Sequence, residues 1–120
     1  MTQWITDWYA VVDQMDADAL SEVTSPDIKV TFANYPTTEG FPAFAASLEP
    51  LWGSLDSMTH NPVRLWEIPG TDYGAIEATI AYGRKDGKVV HVPSFSSVHR
   101  GADGKIDELN VYIDLAPVFA

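Results

Sequence analysis

Apolar residues recur at helical spacing over the first fifteen positions. Trp4, Trp8, Val11, Val12 and Met15 share one face and predict an amphipathic helix. Thr2 is placed to cap it. Residues 16–23 read as a second, short helix, with Asp16 as its cap and an acidic first turn. Ser25-Pro26-Asp27 then breaks helical geometry, because a residue that precedes proline is pushed toward extended conformations. Residues 28–32 alternate and predict a strand. Residues 34–40 carry Pro36 and Gly40 and read as a loop. Residues 41–55 predict a third helix, with Pro42 in its first turn and Phe44, Leu48, Leu51, Trp52 and Leu55 on its buried face. Pro50 is expected to kink or divide it.

The period changes in the second half. Residues 59–66, 73–84, 89–99 and 106–114 are four β-rich segments. Pro69-Gly70-Thr71-Asp72, Lys85-Asp86-Gly87-Lys88 and Gly101-Ala102-Asp103-Gly104 separate them with turn chemistry. Short separators predict antiparallel neighbours. Helices gathered ahead of an antiparallel sheet make an α+β fold, here one domain over residues 1–120. Long twisted strands covered on one face by three helices curl into a cone, and a cone lined by rings with few polar groups is a ligand pocket. Several strands are apolar on both faces, which predicts a homodimer through the sheet.

Composition narrows the partners. The chain has 120 residues, 46% of them hydrophobic and 12% aromatic, enough for a core and a lined pocket. Seventeen acidic residues against seven basic ones give a net charge of −10. That charge repels phosphate backbones and anionic lipid, so neither nucleic acid nor membrane is an expected partner. The absence of cysteine excludes disulfides, thiolate nucleophiles and zinc–thiolate sites. No apolar run reaches the ~20 residues of a spanning helix. The opening residues lack the basic start and apolar stretch of a signal peptide, so a soluble cytoplasmic protein is expected. Dinucleotide and P-loop glycine patterns are absent, and no cofactor is expected. His91 and His99 lie on one predicted strand ~26 Å apart at ~3.3 Å per residue, too far to share a metal, so no metal site is expected.

The candidate chemistry centres on Asn110-Val111-Tyr112-Ile113-Asp114. A carboxylate that ends an apolar strand is costly unless it has a partner or a wet cavity. Asp114 shares strand parity with Tyr112, so the two are expected to point together into the cone as an acid/base or ligand-orienting pair. The alternative is an Asp114 in solvent that caps a neighbouring backbone group. His60, at the start of a β segment, has the pKa range for proton transfer near neutrality. Tyr9 and Asp13 are spaced i, i+4 on the edge of the first helix, placed either to reach the cone's mouth or on a solvated helix side. Phe32, Trp52, Tyr82 and Phe95, with Trp8 and Trp66, are candidates for pocket lining or ordinary core. Asn34 and Tyr35 sit on a Pro-bearing loop that either gates the opening or is plain surface. Ser94, Ser96 and Ser97 lack a nucleophile elbow.

Several motifs, in order, carry a resemblance. They are Trp8-Tyr9 with Asp13 and Asp16, Pro26-Asp27, Asn34-Tyr35-Pro36 with Gly40, Trp52 and Leu55 leading to His60, Tyr82 with Asp86-Gly87, Pro93, and Gly104-Lys105-Ile106 running to Tyr112-Ile113-Asp114. Together the chain resembles the nuclear-transport-factor-2-like superfamily and, within it, the SnoaL-like polyketide-cyclase group. The resemblance implies a cone-shaped curved sheet covered by three N-terminal helices. In SnoaL-like cyclases an Asp on the last strand is the acid/base of an aldol ring closure, and the matching position is Asp114. Ketosteroid isomerases share the fold and pair an Asp base with a Tyr and a protonated Asp; that base is not placed on any residue here. The superfamily also holds epoxide hydrolases, dehydratases and non-catalytic binding domains.

The resulting expectation is a small cofactor-free enzyme on an apolar, cyclic or polyketide-like molecule. Asp114 exchanges the proton, while Tyr112 and His60 bind the oxygen that gains charge. Its rivals are a non-catalytic binding domain with the same cone, and a dimeric adaptor.

Overall fold

A computed structural model describes residues 2–120. Helix α1 (Gln3–Val12) carries its buried face on Ile5, Trp8, Tyr9 and Val12. Thr2 makes no capping hydrogen bond, contrary to expectation. Asp16 does cap α2 (Ala17–Val23), accepting from the backbone N–H groups of Asp18 and Ala19. The chain then enters strand β1 (Thr24–Phe32) without a loop. The Ser25-Pro26-Asp27 triplet therefore lies inside the strand, which begins four residues earlier than expected. Pairing of β1 skips from Thr24 to Lys29, and Pro26 sits in that gap, where its missing N–H is not needed.

Strand β2 (Thr38–Glu39) is a two-residue piece inside the expected loop. Helix α3 (Phe41–Gly53) runs through Pro50 undivided. Pro50 falls in its last turn, where one lost hydrogen bond costs little. The meander follows as β3 (Leu55–Glu67), β4 (Tyr73–Arg84), β5 (Val89–Arg100) and β6 (Ile106–Ile113), and a single turn, α4 (Ala116–Phe119), comes last. Leu55, placed above on the third helix, instead opens β3. Gly87 and Gly104 take the positive φ that their hairpin turns need (90° and 82°).

The six strands form one curved, unclosed sheet in the order β2-β1-β6-β5-β4-β3. All neighbours are antiparallel except β1 and β6, which run parallel from Lys29↔Glu108 to Phe32↔Val111. The concave face is a buried alternation: Ile76, Ala78, Ile80 and Tyr82 on β4, Val92, Ser94, Ser96 and Val98 on β5, Leu109 and Val111 on β6. Helix α1 lies against it. A Cβ at Gly74 would stand 2.6 Å from Ile5 Cδ1 and 2.9 Å from the Trp66 carbonyl oxygen, so only glycine lets the helix come this close. Trp8 donates its indole N–H to the hydroxyl of buried Thr24 at 3.1 Å, tying α1 to the start of β1. The convex face carries exposed rings, including Trp66 and Phe95 with centroids 5.8 Å apart. Among the described residues no helix is long and apolar enough to cross a membrane.

Candidate functional site

The first turn after α1 brings Asp13 to β3. Its Oδ1 lies 2.6 Å from His60 Nδ1, and its Oδ2 accepts the His60 backbone N–H at 2.8 Å. Both side chains are largely withdrawn from solvent, at 10% exposure for His60 and 18% for Asp13. A carboxylate only accepts, so the imidazole proton must sit on Nδ1. In the neutral imidazole the lone pair then lies on Nε2. The two-point grip on one residue fixes both the tautomer and the ring's direction, as a general base requires.

Two phenols stand beside this pair. The Tyr9 ring packs on the His60 ring with centroids 4.5 Å apart. Its hydroxyl is fully buried and has no hydrogen-bond partner among the described residues. Burial pushes the Tyr9 phenol well above its ordinary range, and the nearby Asp13 charge adds to the rise. Ser96 is close enough to oppose that rise, but no hydrogen bond of ordinary geometry joins the two, so the phenol remains unpaired. Tyr82 is pushed upward too, by burial first and then by Asp13 and Tyr9. Both phenols therefore stay protonated near neutrality, as hydrogen-bond donors rather than acids.

The raised values have a sign. An unfolded tyrosine ionises near 10.0, and the fold holds Tyr9 and Tyr82 neutral above that. Their contribution to stability is complete below pH 10.0 and is lost as pH rises beyond it. A spectrophotometric titration should show these two of the five tyrosines ionising only as the chain unfolds. A Tyr9→Phe/Tyr82→Phe variant should keep its fold to higher pH, and an unchanged alkaline midpoint would contradict the assignment.

Tyr9, His60, Tyr82 and Ser96 line a small inner chamber of about 50 Å³, with aliphatic walls from β4 and β6. Beyond it lies a larger cleft of about 520 Å³ between β1, the 35–38 segment, α3 and the C-terminal turn. Phe32, Phe44, Leu48 and Leu51 line both spaces and form the wall between them. No Lys or Arg among the described residues lines either one. No group of three or more His, Asp or Glu among them is placed to hold a metal ion.

A polar-floored chamber inside a helix-covered, curved sheet is the setting for the comparisons with known proteins. The family model described as a SnoaL-like domain matches residues 5–109. The chain belongs to the SnoaL-like family. No curated protein matches it. Solved structures of the nuclear-transport-factor-2-like superfamily share its fold. One is a protein of ketosteroid isomerase-like fold from Catenulispora acidiphila, in complex with trimethylamine. It is 17% identical, with 96% of this chain and 88% of that chain covered and a TM-score of 0.79. Another is TerC, co-crystallised with polyporic acid, at 17% identity, 98% and 93% coverage and a TM-score of 0.78. A third is SalBIII, an epoxide hydrolase/cyclase-like enzyme of pyran ring formation in salinomycin, at 16% identity, 96% and 91% coverage and a TM-score of 0.78.

Within this SnoaL-like fold the expected site residues separate. Tyr9, Phe32, His60 and Tyr82 converge on the chamber, with Asp13 behind His60. Tyr112 does not: it is 63% exposed on the convex face. Asp114, of the same parity, is exposed at the lip of an outer groove, where its Oδ1 accepts the Ala116 N–H at 3.0 Å. The reason is register. Leu109 and Val111 are the buried set of β6, and Ile113 lines the chamber with them, which turns the alternate residues outward. The inward Tyr112–Asp114 pair is thus corrected. Phe95 is corrected likewise, lying outside against Trp66 at 41% exposure. Trp52 packs against the core from α3 but lines neither space. Tyr35 stands at the rim of the large cleft. Ser96 was missed as a lining residue, although its alternation with Val92, Ser94 and Val98 marks it as inward-facing.

Proposed function

We propose that this SnoaL-like protein is a cofactor-independent acid/base enzyme acting on a small, largely apolar carbonyl compound. The Asp13–His60 pair under the cleft carries the reading. His60 Nε2 takes a proton from a carbon or hydroxyl next to the substrate carbonyl. Asp13 stabilises the imidazolium that forms. Tyr9, whose hydroxyl has no hydrogen-bond partner among the described residues, donates to the oxygen that gains negative charge. The apolar walls exclude water and strengthen each of these contacts. Proton transfer of this kind serves isomerisation, cyclisation and dehydration alike. The ligand complexes among the structural neighbours support a small-molecule site in this fold. The test is exchange of the α-hydrogens of methyl heptyl ketone in deuterated water, followed by mass spectrometry. The protein should accelerate exchange over buffer; no acceleration across a series of neutral ketones would sink the reading.

The convex face supports a second element of the proposal, a homodimer through the sheet. Trp66, Phe95 and Tyr112 expose large rings on one strand surface, an arrangement that single-copy proteins rarely leave uncovered. Sedimentation equilibrium should give twice the chain mass, and Phe95→Asp should return the single-chain mass. A monomeric parent protein would remove this element.

A further inference from the structure

The two spaces differ in chemistry, and the difference specifies the ligand beyond "small and apolar". The large cleft offers four hydroxyls: Tyr35 stands at its exposed rim, and the other three are already engaged. Ser47 donates to the Phe44 carbonyl at 2.6 Å, Thr38 to the Val30 carbonyl at 3.4 Å, and Thr37 pairs with Thr31 at 2.7 Å. Apart from Tyr35 at the rim, no unengaged side-chain hydroxyl among the described residues lines the cleft. Two buried side-chain polar atoms among the described residues lack a partner, Tyr9 Oη and Trp52 Nε1; Trp52 lines neither space, so the Tyr9 hydroxyl, beside the His60 ring in the inner chamber, is the one that a ligand meets. A chamber of about 50 Å³ admits one small functional group and no more. No Lys or Arg among the described residues lines either space, Asp13 already lies against His60, and the chain carries a net charge of −10. An anion moved there would be desolvated with no Lys or Arg to pair with and with the Asp13 carboxylate close by, so it is disfavoured.

We infer that the ligand is an uncharged, elongated molecule whose apolar body fills the cleft and whose one oxygen function reaches His60 through a neck formed by Phe32, Phe44, Leu48 and Leu51. These four side chains, on β1 and α3, set the size of what reaches the reactive end. Carboxylates and phosphates of the same length are excluded. The inference rests on the reading of the His60 chamber as the reactive end, but its test does not need turnover.

Diethyl pyrocarbonate acylates unprotonated imidazole, and peptide mapping by mass spectrometry reads His60, His91 and His99 separately. His91 is exposed on the convex face and serves as the internal control. His60 should react more slowly than His91. Methyl heptyl ketone should slow His60 further and leave His91 unchanged. Octanoate, with the same heptyl tail and a charged head, should leave both unchanged. Leu51→Ala should speed His60 by about tenfold, since the rate follows the fraction of molecules with the neck open. Leu48→Phe should slow it, and covers the case in which the smaller side chain disturbs folding. Equal protection by octanoate and ketone would overturn the charge exclusion. A His60 rate indifferent to both substitutions would overturn the neck. Protection by the ketone without α-hydrogen exchange would remove the proton-transfer reading alone and leave this one standing.

Discussion

Replacing His60 by glutamine should lower α-hydrogen exchange on methyl heptyl ketone by on the order of 10²–10⁴-fold, the usual worth of a positioned general base. Glutamine keeps hydrogen-bonding capacity toward Asp13 and much of the volume, but it has no basic lone pair. The fold should therefore survive and the chemistry should not. Asp13→Asn separates the roles further. Its carbonyl oxygen can still accept one N–H of His60, but its amide presents a donor where the carboxylate accepted. The imidazole then keeps its proton on the wrong nitrogen, and exchange should fall by a comparable factor although the residue that reacts is untouched. A His60→Gln protein that exchanges as fast as the parent would remove His60 from the reaction. A loss in His60→Gln with none in Asp13→Asn would leave the base in place and strip Asp13 of its positioning role.

The second large effect is on stability. Trp8→Ala should cost about 3–5 kcal/mol, the range for emptying a large aromatic from a packed core. Trp8 is buried, forms one wall of the inner chamber, and meets the Tyr9 ring edge-on at a centroid distance of 5.0 Å. Its loss also leaves the buried Thr24 hydroxyl without its donor. Chemical denaturation should show a lowered midpoint with little change in slope. A loss below about 1 kcal/mol, the range of ordinary surface changes, would mean that α1 is held to the sheet by other contacts.

Local physics made much of this fold readable. Turn residues at three separators, period-two alternation between them and the Asp16 cap each act within a few residues, and the structure follows them closely. The parallel β1–β6 pair acts across most of the chain and leaves no local mark. The site divides along the same line. Tyr9 and Asp13 are visible as neighbours on one helix edge, and His60 as a histidine opening a β segment. Their meeting is visible in neither, because it depends on how α1 crosses the sheet. Asp114 misleads for an identifiable reason. Tyr112 is aromatic, so the parity it shares with Asp114 passes for apolar. The other parity, Leu109, Val111 and Ile113, is purely aliphatic and is the stronger core signal. Phe95 misleads in the same way: β5 places small serines inside, where α1 approaches, and its ring outside.

The parallel contact between β1 and β6 also governs the order of events during synthesis. Emerging from the ribosome at about 5–20 residues per second, β1 waits several seconds for the strand that completes its hydrogen bonds. Until then β1 and α3 offer Val30, Phe32 and Phe44 to any passing chain.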